Sequence, residues 1–276
     1  MKNKQSLHTH TLYADGKNTP EELVLAAIAK GFDAIGFSEH SYLPDPLVPE
    51  QLTIEDMARY KEEVAQLKET YKGQIDVFCG LEYDFYSDVP TQGLDYMIGS
   101  VHYLDFDGEK VTFDWDVPGT RNYVNRFFGG DFMAFAKDYF ATVARLPERG
   151  DFDIIGHFDL LAKNNEKGKF WDATSKEYLD MGFEAIHGLK GKIPLFEVNT
   201  GAISRGYRTA PYPQMEFLKE FKRLGFGAVI TSDCHNKDFL DCAFADAAAL
   251  LAQAGFDSKW ILTEDGFREV SLRGQR

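Results

Sequence analysis

The chain has 276 residues, 44% of them hydrophobic and 27% charged, which is the balance of a globular protein and a size that suits one α/β barrel. Acidic residues outnumber basic ones 44 to 30, for a formal charge of −14; that field repels nucleic-acid backbones and anionic membranes, no Lys/Arg run reverses it locally, and neither is expected as a partner. Apolar stretches such as Leu23 to Ala29 fall far short of the roughly 20 residues of a membrane helix, Met1–Ser6 lacks the apolar core of a signal peptide, and the three cysteines (Cys79, Cys234, Cys242) form no disulfide framework, so a cytoplasmic location is expected.

No linker, low-complexity stretch or repeat divides the chain, so a single domain over residues 1–276 is expected. Short apolar runs alternate along it with stretches of helical spacing. The first run is Ser6–His10. Thr19-Pro20-Glu21-Glu22 then reads as a capping box with proline at the first helical position, and Gly31 ends that helix. A second strand is expected at Ala34–His40. Thr53 opens a helix that runs to about Tyr71, before Gly73. Strands follow at Asp76–Glu82 and Tyr96–His102. The interval from Tyr103 to Gly150 is too long for one helix and reads as an excursion holding Asp114-Trp115-Asp116 and Arg121 to Phe128, followed by a helix over Asp131–Arg149. Next come a strand at Asp153–His157, a second capping box at Thr174 with Glu177, and a strand at Pro194–Asn199. A helix over Gln214–Leu224, a strand at Ala228–His235 and a helix over Asp238–Ala254 complete the pattern. Seven strand–helix alternations predict a parallel sheet, open or closed into a barrel.

Six of the seven histidines fall at the C-terminal ends of those strands: His8, His10, His40, His102, His157 and His235. The third strand ends in Glu82, and Asp233 stands two residues before His235. Parallel α/β folds build their sites at these ends, and the side chains converge only if the strands close around a point. His8-Thr9-His10 and Asp233-Cys234-His235 each place two ligands at i and i+2, on one face of a strand. Asp15, in the loop after the first strand, is a further candidate. Imidazole with carboxylate suits Zn, Fe or Mn better than Ca or Mg. Singly, each residue has an ordinary structural reading as a hydrogen-bonded core histidine, a turn aspartate or a cap. Together they are what a multinuclear metal site requires. His187 is the contrast: mid-helix, off the apolar stripe and without an evident partner, it reads as a surface residue.

With His8-Thr9-His10, Asp15-Gly16, Ser38-Glu39-His40, Gly80-Leu81-Glu82, Gly99-Ser100-Val101-His102, Gly156-His157-Phe158-Asp159 and Ser232-Asp233-Cys234-His235, the chain resembles the polymerase-and-histidinol-phosphatase (PHP) superfamily over residues 7 to 235. That resemblance implies an α/β fold: a distorted, TIM-like (β/α) barrel of seven strands with a trinuclear centre at their C-terminal ends. It implies that His8, His10, Glu82 and Asp233 hold one divalent ion. Glu82 would bridge to a second, held with His102 and His157, and Asp15, His40 and His235 would hold the third. Some members carry histidine where this chain has Asp15, so aspartate there marks a subgroup.

Within the superfamily the layout is similar to the PHP-type histidinol-phosphate phosphatases, through the long excursion, Glu197-Val198-Asn199-Thr200-Gly201, Arg205 and Tyr212-Pro213. The resemblance implies metal-dependent hydrolysis of L-histidinol phosphate, a small phosphate monoester, in histidine biosynthesis. Arg205 and Lys163 are then the expected phosphate-binding residues, with lysine standing where an arginine is expected. Asp233, Arg205 and His235 form the expected catalytic set, and either Asp233 or an ordered water would protonate the leaving alkoxide. Asp159 and Glu197, with Asp114 and Asp116, are candidates to receive the substrate amine. Three divalent ions outweigh the three ligand carboxylates and leave local positive charge for a phosphate dianion. The alternatives are a PHP exonuclease or nucleotide phosphoesterase, a PHP protein-tyrosine phosphatase, and a metal-binding regulatory protein without turnover. The acidic balance opposes the first, and an intact ligand set opposes the last.

Overall fold

A computed structural model describes residues 3–43 and 51–272 of the chain; Met1 and Lys2 of the N-terminal stretch lie outside them. The strands are β1 (Gln5–Ser6), β2 (Ala34–Phe37), β3 (Asp76–Asp84), β4 (Tyr96–Ser100), β5 (Tyr103–Phe106), β6 (Glu109–Thr112), β7 (Ile154–Ile155), β8 (Leu195–Asn199), β9 (Gly227–Thr231), β10 (Ser258–Thr263) and β11 (Gly266–Ser271). Seven of them form one sheet in the order β1-β2-β3-β4-β7-β8-β9, with every neighbour parallel. The sheet curls until its two ends meet. Thr9 and Cys234 form a parallel bridge, in which His10 N donates to Cys234 O at 2.8 Å and Cys234 N to His8 O at 3.2 Å. The result is the nearly closed seven-stranded α/β barrel that the sequence implied.

Several strands stop earlier than expected. At three of the histidine-bearing ends a backbone N–H turns from the ladder to a buried carboxylate. His157 N donates to Glu197 Oε1 at 2.6 Å, His102 N to Asp84 Oδ2 at 2.7 Å, and Thr11 N to Glu39 at 3.0 Å. Gly156 precedes His157 where a Cβ would collide with Ser100 Oγ, so glycine is required for β7 to lie against β4.

Most of the core lies between the sheet and its helices. A smaller cluster draws Leu7, Ala34, Phe78, Tyr96, Ile98, Ile154, Leu195 and Val229 from all seven barrel strands or their edges and fills the interior. Leu262 joins it from the antiparallel hairpin β10–β11, with Trp260 and Phe267 packed alongside. Sequence reading left this hairpin unassigned. It acts as a floor, so the barrel is solid below and its open end carries the histidines.

The helix signals at Thr19 and Thr53 hold: Thr19 makes the capping box with Glu22, and Thr53 accepts from Asp56 N at 3.1 Å. Three others are corrected. The second box is absent, because Thr174 is bound to Asp172 and Ser175 caps the helix Lys176–Leu189 instead. The helix expected to reach Arg149 ends at Val143 and gives way to a 3-10 turn over Leu146–Glu148, where Pro147 lacks the N–H that a helix would use. The stretch Asp238–Ala254 is broken by Ala243 at φ 55°, with a helix only over Phe244–Gln253. The excursion after β4 is the antiparallel hairpin β5–β6 followed by the helix Val117–Phe128. Asp116 caps that helix by accepting from Gly119 N at 2.8 Å, so it is spent on backbone rather than facing a ligand. Among the described residues, no helix is long and apolar enough to cross a membrane.

Candidate metal centre

Barrel closure brings the strand ends together around Glu82, which is 1% exposed. Its two oxygens face different groups. Oε1 lies 2.8 Å from His157 Nε2 and 3.4 Å from His102 Nε2, whereas Oε2 lies 2.7 Å from His40 Nδ1, 3.3 Å from His8 Nε2 and 3.7 Å from His10 Nε2. Asp233 Oδ1 stands 3.4 Å from His10 Nε2 and 3.8 Å from His8 Nε2. Asp15 closes the outer side, 3.0 Å from His235 Nε2 and 3.6 Å from His40 Nε2. Asp233 adopts φ 44°, a strained conformation for a residue with a side chain. A Cβ on Gly201 would lie 2.7 Å from its Cβ and Oδ2, so glycine leaves it room.

All nine side chains singled out by the sequence fall into groups whose donor atoms lie within 4.8 Å of one another: His10–Asp15–His40–His235, His8–His10–Glu82, His8–His157–Asp233 and His40–Glu82–His102. The first contains the expected set of Asp15, His40 and His235, with His10 added. The remaining groups interleave around Glu82 rather than separating into two sets.

A cation is what this arrangement fits. His8 Nε2, both ring nitrogens of His10, Glu82 Oε2 and His157 Nδ1 are buried with no hydrogen-bond partner; the 2.7 Å approach of His40 to Glu82 Oε2 lacks hydrogen-bond geometry. Leaving so many polar atoms unpaired is costly unless something else binds them. The electrostatics agree. Burial alone would raise the carboxyls of Glu82 and Asp233, but His8, His102 and His40 around the first, and Arg205 and His8 beside the second, hold both well below the usual range. Burial opposes charge on His40, yet Glu82 and Asp15 push it up to about 10. Burial, with His235 and His40 nearby, pushes His10 down to about 3. Protons on histidine thus balance the carboxylates, and metal ions would take their place.

A second layer of carboxylates holds the histidines. Glu197, expected at the substrate amine, is wholly buried below the cluster. Its Oε2 accepts from His8 Nδ1 at 2.9 Å and Thr231 Oγ1 at 2.7 Å, and its Oε1 from His157 N and from Asn199 Nδ2 at 2.8 Å. It orients His8 and His157 and, wholly buried, cannot touch substrate. Asp159 is likewise corrected: it is fully buried, accepts from Gln214 N at 3.2 Å and lies 3.8 Å from Arg208 Nη1. Asp84 and Glu39 also support the site; sequence reading gave Asp84 no place and quoted Glu39 only within Ser38-Glu39-His40. Asp84 was legible, since it stands at i+2 from Glu82 and so shares its face of β3.

Arg205 reaches the cluster. Nη2 lies 3.0 Å from Asp233 Oδ2, and Nη1 lies 2.9 Å from Asp233 O and 2.8 Å from His235 Nδ1. Lys163 Nζ sits 2.7 Å from Asp114 Oδ1, above the ring of Tyr207. Beside the metal groups opens a cavity of about 270 Å³, lined by Asp15, His40, Ser41, Gln51, Glu82, Asp84, His102, Tyr103, Thr112, Asp114 and Trp115. Hairpin β5–β6 and the residues after it form one wall, which gives the excursion its place. His187 is at the surface as expected, but it has a partner, Glu220 at 2.6 Å.

Residues 6–190 match the family model of the PHP domain. The chain is 28% identical over 265 residues to a Deinococcus radiodurans protein named "Probable histidinol-phosphatase", covering 90% of this chain and 92% of that one. It is 26% identical over 259 residues to the histidinol-phosphatase of Bacillus subtilis, covering 84% and 93%. Among solved structures it superposes on a histidinol phosphate phosphatase from Lactococcus lactis, complexed with zinc, L-histidinol and phosphate, with a TM-score of 0.74 at 22% identity over 97% of this chain and 100% of the other.

Proposed function

Because the chain belongs to the PHP domain family, we infer that it is a histidinol-phosphatase, a phosphoric monoester hydrolase that converts L-histidinol phosphate to L-histidinol and phosphate. The observation that carries this reading is the convergence of three carboxylates (Asp15, Glu82 and Asp233) and six histidines at the open end of a barrel shared with a histidinol phosphate phosphatase. In this reading the domain is single, the location cytoplasmic and the pathway histidine biosynthesis. Three divalent ions would be held, the first by His8, His10, Glu82 and Asp233, the second by Glu82, His102 and His157, and the third by Asp15, His40 and His235. Zinc leads Fe and Mn, because the Lactococcus lactis complex contains it. Bound there, the ions would supply Lewis-acid charge to the phosphoryl oxygens and acidify the attacking water.

The chain's own groups do the rest. Arg205 turns its guanidinium from Asp233 to the phosphoryl oxygens, where the planar fork binds two oxygens at once. Lys163 supplies a second charge. Asp233, held ionised by Arg205 and His8 against the effect of burial, would act as a metal ligand, and either Asp233 or an ordered water would protonate the leaving alkoxide. His235, between Arg205 and Asp15, fixes the far side of this group. The test is a turnover panel of histidinol phosphate, phosphotyrosine, mononucleotides and short DNA oligomers under matched zinc loading. The highest kcat/KM on histidinol phosphate is expected, and a higher value for any other member overturns the assignment.

A further inference from the structure

Arg205 needs an anchor other than the metal centre. Its side-chain partners are Asp233 and His235, both read here as metal ligands, and ions of like charge repel a guanidinium. Once Arg205 turns to a phosphoryl group, only the backbone that carries it can keep it at the mouth. Arg205 follows the short helix Gly201–Ser204, and Gly206, at φ 71°, then turns the chain into residues 207–212. The far end of this loop is tied to β8, where Asn199 and Tyr212 exchange both backbone hydrogen bonds at 2.9 Å. On the outer side Thr209 N and Oγ1 donate to Glu166 Oε2 at 2.9 and 3.0 Å, and Lys167 Nζ donates to Gly206 O. These contacts are exposed, where such bonds gain little over water.

Arg208, from the same loop, is different. Its side chain is only 8% exposed. Nη1 lies 3.8 Å from Asp159 Oδ2, Nε lies 3.8 Å from Glu166 Oε1, and Cζ sits 4.3 Å from the centre of the Tyr212 ring. Nε and Nη1 have no hydrogen-bond partner, and neither has Asp159 Oδ1. A buried pair in this state adds little stability, but a charge set against an aromatic face and two carboxylates fixes where its segment lies. Tyr212 in turn meets the ring of His157 edge-on, with 6.4 Å between centroids. Arg208 does not line the cavity. We propose that Arg208 is a positioning residue: set between Asp159, Glu166 and Tyr212, it clamps residues 205–212 onto the barrel and so holds Arg205 over the mouth. The proposal rests on the reading of Arg205 as a phosphate-binding residue.

The test is a double-mutant cycle on zinc-loaded protein. It is read by calorimetric binding of inorganic phosphate and by kcat/KM on the best monoester of the turnover panel. Arg208→Gln should weaken phosphate binding and lower kcat/KM by about 10- to 100-fold, the scale of a misplaced binding group, with zinc content unchanged. In an Arg205→Ala background the same substitution should change either quantity by less than about twofold, because the residue it positions is gone. A double variant that shows the product of the two single losses would mean that Arg208 acts apart from Arg205, and the proposal fails. Loss of zinc from Arg208→Gln overturns it as well, since the effect would then run through His157. Should Arg208→Gln not fold, Arg208→Lys keeps a charge opposite Asp159 and carries the same cycle. Its loss should be smaller and again absent without Arg205, and additivity there is equally fatal. Wild-type phosphate affinity and kcat/KM in Arg205→Ala alone would instead defeat the reading of Arg205, and the proposal with it.

Discussion

Replacing Glu197 by glutamine changes one atom in the layer beneath the cluster, and the surrounding hydrogen bonds determine how the side chain must settle. Both carboxylate oxygens accept two bonds: Oε1 from His157 N and Asn199 Nδ2, Oε2 from His8 Nδ1 and Thr231 Oγ1. A glutamine must present –NH2 at one of these positions. At Oε1 it would face a backbone N–H that cannot turn, and an Asn199 amide whose own oxygen is engaged by Gly201 N at 2.9 Å. At Oε2 the Thr231 hydroxyl can rotate to accept, and His8 can accept only by moving its proton from Nδ1 to Nε2. The second arrangement wins, and it places a proton on the nitrogen that faces Glu82 and Asp233. Metal affinity should then fall by about 10- to 100-fold, the usual effect of losing an outer-shell partner. Loss of charge-assisted bonds should cost about 1–3 kcal/mol of stability. Competition of zinc against a calibrated chelator measures the first quantity, and a urea titration of the metal-free protein measures the second. Wild-type zinc affinity in a folded Glu197→Gln protein would refute the tautomer argument.

The same geometry sets the outcome of other substitutions. Glu82→Gln removes the charge at the centre of the cluster and should lose activity together with at least one metal by elemental analysis, whereas His187→Asn at the exposed Glu220 contact should lose neither. Arg205→Ala should keep its metal content and lower kcat/KM by about 30- to 1,000-fold, equivalent to roughly 2–4 kcal/mol, with Arg205→Lys recovering only part because a point charge lacks the planar fork; near-wild-type kinetics would remove Arg205 from the site. Lys259 is buried, and burial, only partly opposed by Asp33, lowers it from 10.5 to about 8. The unfolded chain therefore binds more protons between those values, and stability should rise as pH rises through that window, by up to about 3 kcal/mol. Lys259→Met should flatten the rise, and an unchanged pH–stability profile would contradict it.

The sequence alone determined the class of the fold and singled out the nine side chains that the structure brings together. Buried parallel strands leave continuous apolar runs, caps leave Thr19 and Thr53, and histidines at strand ends mark the open end of a barrel. These signals are local: each depends on a residue and its near neighbours along the chain. The floor hairpin β10–β11, the break at Ala243 and the true roles of Glu197 and Asp159 were decided only by tertiary structure. A carboxylate's role depends on which atoms surround it after folding, and for Glu197 these come from β8, β9 and the residues after β1 and β7. Chain spacing does not encode depth, so a buried support and a substrate-facing anion look alike in sequence. The pairing of Lys163 with Asp114 joins residues 49 positions apart, and it exists only because the excursion folds back over the barrel mouth.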